Sequence, residues 1–174
     1  MKSHLCARFA AGFLFLISFA GVIIAADLLS DDKNFLEHAA EGNNAEIALA
    51  NMALKKTTRP GLKAFARRIV TDHEKANGQL KTIASENHVP IPTGTSVKYK
   101  AEEARLAMLE GRDFEDEYVN TMIDNHQADV EAYQKQVQYG ADADLKKFAS
   151  LTIPLLRQHL SMAKTVQVKM AASK

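Results

Sequence analysis

Residues 114–137, FEDEYVNTMIDNHQADVEAYQKQV, decide how the rest of this chain is read. Tyr118, Met122, His126, Val130, Tyr133 and Val137 recur at three- and four-residue spacing, the apolar seam of an amphipathic helix. His126 occupies a seam position where an aliphatic residue is expected. A buried imidazole without a partner is costly, so this one must find a hydrogen bond, a metal or a cofactor.

Two other segments repeat the pattern. Leu62, Ile69, His73, Ala76, Leu80 and Ile83 form one seam, and Leu145, Phe148, Thr152, Leu155, His159 and Val166 form another. A further helical face carries Phe35, Ala39, Ile47, Ala50 and Leu54. Together with their caps and breakers, these seams predict helices over about 32–56, 59–86, 97–109, 113–139 and 142–170. Asp31, Asp32 or Asn34 can cap the first, whose weak helix formers Glu41-Gly42-Asn43-Asn44 allow a bend. Pro60 suits a first turn, and Pro154 predicts a kink in the last helix. Pro90, Pro92 and Gly94 keep residues 87–95 irregular.

Short turns after the first and third long helices make two antiparallel hairpins, and the long connection carries the short helix. The expected fold is all-α, a four-helix bundle with one long crossover. Leu62-Lys63-Ala64-Phe65-Ala66 echoes Leu145-Lys146-Lys147-Phe148-Ala149, and the same offset sets Glu46 on Asp129, in keeping with a duplicated hairpin.

Helix rise then fixes levels. Counting from the turns at about 1.5 Å per residue puts Glu46 and His73 roughly 4.5 Å apart along the axis, and His126 and His159 about one turn apart. One glutamate and three histidines, one per helix, thus fall in the middle third of the bundle. Glu46, His73, His126 and His159 make a candidate shell for a single transition ion: zinc, copper, iron or manganese. Asp72 and Asp129 are candidate outer acids that orient an imidazole. Met122 and Met162 would favour copper if they point inward, and otherwise read as core filler. The competing reading is a structural or interaction module in which the same residues form a metal-free hydrogen-bond network. A nucleophile arrangement and a phosphate-cradling loop are both missing from the sequence, which argues against an enzyme.

The first 26 residues read as a cleaved export signal. Lys2 and Arg8 precede the apolar run 9–24, and Ala25-Ala26 offers small residues for cleavage. An uncleaved anchor is the alternative, since the run is barely long enough to span a bilayer. Cleavage leaves a periplasmic or secreted chain with no stable membrane span. Cys6, the single cysteine, departs with the leader, which removes disulfide chemistry and covalent haem attachment. The leader holds two of the 22 basic residues and none of the 21 acids, so the remainder sits near charge −1. With no one-signed tract, nucleic acid is not an expected partner. A bundle of this length is compatible with a monomer or a homodimer.

Several pieces in order resemble a secreted bacterial family, domain-of-unknown-function family 4142, assigned to the ferritin-like superfamily. They are Phe35 with Ala39-Ala40, Glu46-Ile47 with Ala50, Phe65-Ala66 with Val70-Thr71-Asp72-His73, and Val89-Pro90. Phe114 with Tyr118, His126, Leu145-Lys146 with Phe148-Ala149, and Pro154 with His159-Leu160 complete the set. The resemblance implies an exported ferritin-like four-helix bundle and brings no established catalysis; the Glu/His set itself favours a metal-binding or stress-associated periplasmic protein. Glu115 departs from the aspartate expected after the phenylalanine. Val70, Ile123 and Leu156 stand three residues before the histidines, where di-iron ferritins carry glutamate, which argues against a di-iron centre.

Overall fold

A computed structural model of the protein describes residues 28–172; the predicted export signal, residues 1–26, lies outside them. The helices are α1 (Ser30–Lys56), α2 (Pro60–Glu86), α3 (Val97–Ala107), α4 (Gly111–Tyr139) and α5 (Ala143–Ala172). α1 with α2 and α4 with α5 form the two hairpins. α2 packs on α5 and α1 on α4 to close the ring, and α3 lies across α1 and α4. This is a ferritin-like four-helix bundle with α3 on the crossover. Among the described residues, no helix is long and apolar enough to cross a membrane.

The seams bury as amphipathic periodicity requires, but they do so in two separate clusters. One contains Leu49, Ala53, Leu62, Ile69, Phe114, Met122 and Ala163; the other contains Leu36, Ala40, Leu80, Tyr133, Leu145 and Leu156. On each bundle helix the polar residue falls between the two clusters. Glu46 follows Ala40 and precedes Leu49, and His159 follows Leu156 and precedes Ala163. The bundle is therefore two oily layers separated by one polar layer.

Several local expectations change. Leu156 rather than Leu155 fills the core of α5, one position off the expected seam. α1 stays helical through Glu41–Asn44 and α5 through the exposed Pro154, so any bend or kink there lies within a continuous helix. Asp32 does not cap α1. It is buried, and its carboxylate accepts hydrogen bonds from Gln136 Nε2 at 2.6 Å and from the backbone N–H of Asp142 at 2.8 Å and Ala141 at 3.2 Å. The first hairpin thereby grips the turn of the second. Gly140 ends α4 there, and a Cβ on it would stand 2.6 Å from the Gln136 carbonyl oxygen and would also collide with Gln136 Nε2. At the opposite end, Glu115 is buried and bound by Thr57 Oγ1 and by Arg59 Nε at 2.6 Å, which gives the longer acid a structural task.

Candidate metal centre

Each helix of the bundle contributes one residue to the polar layer: Glu46 from α1, His73 from α2, His126 from α4 and His159 from α5. All four are at most 3% exposed. The three imidazoles form a compact set in which one nitrogen of each lies within 4.8 Å of one nitrogen of the others. His126 Nε2 is 3.2 Å from His159 Nδ1. Glu46 borders this set: Oε2 is 2.9 Å from His73 Nε2, and Oε1 is 3.2 Å from His126 Nδ1.

The far side of each ring fixes its proton. His126 Nδ1 donates to the Met122 carbonyl at 2.8 Å, a bond to its own helix. His159 Nε2 donates to Asp72 Oδ2 at 2.8 Å, and the same oxygen is held by Arg68. His73 Nδ1 donates to Asn43 Oδ1 at 2.7 Å. That oxygen must be the acceptor, because Asn43 Nδ2 is committed to Asn77 Oδ1 at 2.9 Å. A neutral imidazole has a single N–H. With all three given outward, His73 Nε2, His126 Nε2 and His159 Nδ1 turn bare lone pairs inward.

These atoms are short of partners. His73 Nε2 and both oxygens of Glu46 are buried without an aligned hydrogen bond, and so is the Tyr118 hydroxyl. The 2.9 Å approach of Glu46 to His73 is close but does not have hydrogen-bond alignment. Buried polar groups are almost always paired, so three orphaned atoms in one layer need a cause. A cation supplies one. Two nitrogens on a tetrahedral zinc stand about 3.3 Å apart, given Zn–N distances of about 2.0–2.1 Å. The 3.2 Å between His126 and His159 is already that spacing.

Electrostatics couples the buried acid to His73 and biases His126 and His159 toward the neutral form. Burial alone would raise the Glu46 carboxyl, but the neighbouring His126 and His73 overcome it and hold it at about 2. Burial pushes His159 down to about 4 against the pull of Asp72, and burial also lowers His126. His73 moves up, because Glu46 outweighs the cost of its burial.

Of the two outer acids expected from sequence, Asp72 touches the layer and Asp129 does not. Among the described residues, Asp129 makes no hydrogen bond or ion pair with an imidazole. It stands on the floor of an open cleft of about 430 Å³ between α1, α3 and α4, beside Glu41, Lys98 and Tyr99. Burial there, reinforced by Glu46, raises its carboxyl to about 8. Position i+3 from His126 turns about 60° off the seam, which aims it at α1 rather than at the bundle axis. Asn43 was not anticipated, although it sits one turn before Glu46 on the same face.

Residues 21–166 match the family described as Domain of unknown function (DUF4142). The chain belongs to the DUF4142 family. No curated protein matches it. Among solved structures, it is similar to a DUF305 fragment from Deinococcus radiodurans. The TM-score is 0.74 at 16% identity, covering 83% of this chain and 99% of that one. It is also similar to a putative secreted DUF305 protein from Streptomyces coelicolor, with TM-score 0.71 and 13% identity over 81% and 92% of the two chains. A third similar structure is CopM in its Cu(II)-bound form, with TM-score 0.68 and 24% identity over 79% and 96%. At these identities the likeness is one of fold.

Proposed function

We propose that this DUF4142 protein is an exported metal-holding bundle whose polar layer takes up a single transition ion. His73, His126 and His159 would hold the ion, and Glu46 would be the adjacent anionic member, with Asp72 orienting His159. The observation that carries this reading is the tautomer pattern. Three outward N–H bonds leave three inward lone pairs converging beside a buried carboxylate. A bound ion would supply the positive charge that these groups lack.

Imidazole donors with one carboxylate suit zinc, copper, iron or manganese. CopM, a neighbour in fold, was solved with Cu(II), Cu(I) and silver, which puts copper first among the metals to test. The single carboxylate, and the aliphatic Val70, Ile123 and Leu156 three residues before the histidines, do not suit a di-iron centre. Holding or delivering an ion suits a layer whose four members are sealed between two apolar clusters.

The second reading is a metal-free hydrogen-bond network. The 3.2 Å contact of His126 with His159 would then be a shared proton. Metal analysis of protein purified without a histidine tag separates the two. Stoichiometric metal that is lost in a His126→Ala/His159→Ala variant supports the ion site. Absence of metal even after reconstitution with copper, zinc and iron supports the network.

A further inference from the structure

A chain of hydrogen bonds leaves the polar layer at His73 and ends on the crossover. His73 Nδ1 donates to Asn43 Oδ1 at 2.7 Å, Asn43 Nδ2 to Asn77 Oδ1 at 2.9 Å, and Asn77 Nδ2 to Asn44 Oδ1 at 2.8 Å. Asn44 Nδ2 then donates to the carbonyl oxygens of Gly94 at 3.0 Å and Pro92 at 3.3 Å. Three amides alternate between α1 and α2, and every link has the same polarity.

That polarity is set at the outer end. A carbonyl oxygen can only accept, so Gly94 and Pro92 are served only if Asn44 turns its NH2 toward them. The Asn44 oxygen then faces Asn77, which must donate there and accept from Asn43. The Asn43 oxygen is left facing His73, whose proton must therefore lie on Nδ1. In the neutral ring, Nε2 is then bare toward Glu46. Turning over one amide alone would set donor against donor or acceptor against acceptor. The chain thus has two self-consistent arrangements. In the inverted one His73 carries its proton on Nε2, all three amides are reversed, and the Asn44 oxygen confronts the two crossover carbonyls and releases them.

We infer that Asn43, Asn77 and Asn44 are positioning residues that make the seating of residues 92–94 and the availability of His73 Nε2 for a cation the same state. This rests on the metal reading above. Ligation at Nε2 and docking of the crossover favour each other, and the linkage is reciprocal. An ion on Nε2 also makes Nδ1–H a stronger donor, and aligned bonds pass that polarisation outward. Occupancy of a layer sealed inside the bundle is thereby felt on the surface connection.

The test uses nuclear magnetic resonance on the full exported chain, metal-free and with Zn(II), in wild type and in Asn44→Leu, which removes the outer anchor without touching His73. In wild type, the His73 Nδ1–H proton is observed, and the backbone amides of Thr93 to Thr95 shift when Zn(II) is added. In Asn44→Leu the Nδ1–H signal is lost to tautomer exchange, and Zn(II) affinity falls about tenfold, as when an outer partner of a ligating histidine is removed. Asn77→Asp, an isostere that only accepts, forces Asn44 over and releases residues 92–94 while Asn43 and His73 stay paired. The inference is overturned if Asn44→Leu frees the crossover yet keeps both the Nδ1–H signal and wild-type affinity. Asn44 would then merely staple a loop. A crossover still docked in Asn77→Asp contradicts it as well. If wild type takes up none of Zn(II), copper or iron, the metal reading fails separately, because the tautomer signal reports on His73 without any ion.

Discussion

His126 Nε2 stands 3.2 Å from His159 Nδ1, and each of these rings has already given its N–H to an oxygen on its far side. Two lone pairs thus meet inside the bundle with no donor between them. Both rings are shut off from bulk water. On the proposed function, a cation would turn this repulsion into coordination.

A ligand that binds only the folded state stabilises it by mass action. At a free ion concentration of 100 times Kd the gain is about 2.7 kcal/mol. For a domain of this size that corresponds to a rise in Tm of roughly 5–10 °C. Thermal melts with Cu(II) or Zn(II) should show this rise in wild type and no rise in His126→Ala/His159→Ala.

Asp72 joins the surface to the layer: Arg68 and His159 Nε2 share one of its oxygens. Asp72→Asn keeps the shape but removes the charge that makes His159 a better donor. Metal affinity should fall by about tenfold, the typical effect of neutralising such a partner. Competitive titration against a chelator of known affinity measures it, and the Tm of the metal-free protein should change little.

Asp32 links the two hairpins at the end of the bundle remote from Glu115. Asp32→Ala leaves Gln136 Nε2 and two backbone N–H groups without their shared acceptor. Each lost bond to a charged group is worth about 1.5–3 kcal/mol, partly recovered by water, so a net loss of about 3 kcal/mol is expected in urea denaturation. Gly140→Ala should weaken the same junction, because its methyl would collide with Gln136.

Asp129 supplies a pH signature set mainly by burial and reinforced by Glu46. Its carboxyl titrates at about 8 in the folded chain, mainly through burial, against an ordinary value of 3.8. Between those limits the folded state holds a proton that the unfolded state has released, so this group lowers stability as pH rises. Asp129→Asn removes the effect. Its Tm advantage over wild type should therefore be absent near pH 4, grow through neutrality and level off above pH 8.

The all-α fold and the common level of Glu46, His73, His126 and His159 were legible in the sequence, because helical periodicity and residue counting depend only on backbone geometry. What escaped depended on side-chain direction and tertiary partners. Asp32 looks like an N-cap, yet it shares the inward face of Phe35 and Leu36 and is drawn to a turn more than 100 residues away. Glu41-Gly42-Asn43-Asn44 looks like a weak point in α1. Tertiary bonds to Asn77 and the crossover offset its poor propensity. The internal echo makes Asp129 the equivalent of Glu46, but Asp129 lines the cleft between α1, α3 and α4, whereas Glu46 is buried between the two core clusters.

The most direct test of the account is anomalous X-ray diffraction from crystals of the untagged protein grown with Cu(II) or Zn(II). The account predicts one strong peak in the polar layer, about 2.0–2.2 Å from a nitrogen of each of His73, His126 and His159. A layer without a peak, with metal confined to surface residues such as His38 and His88, would contradict it.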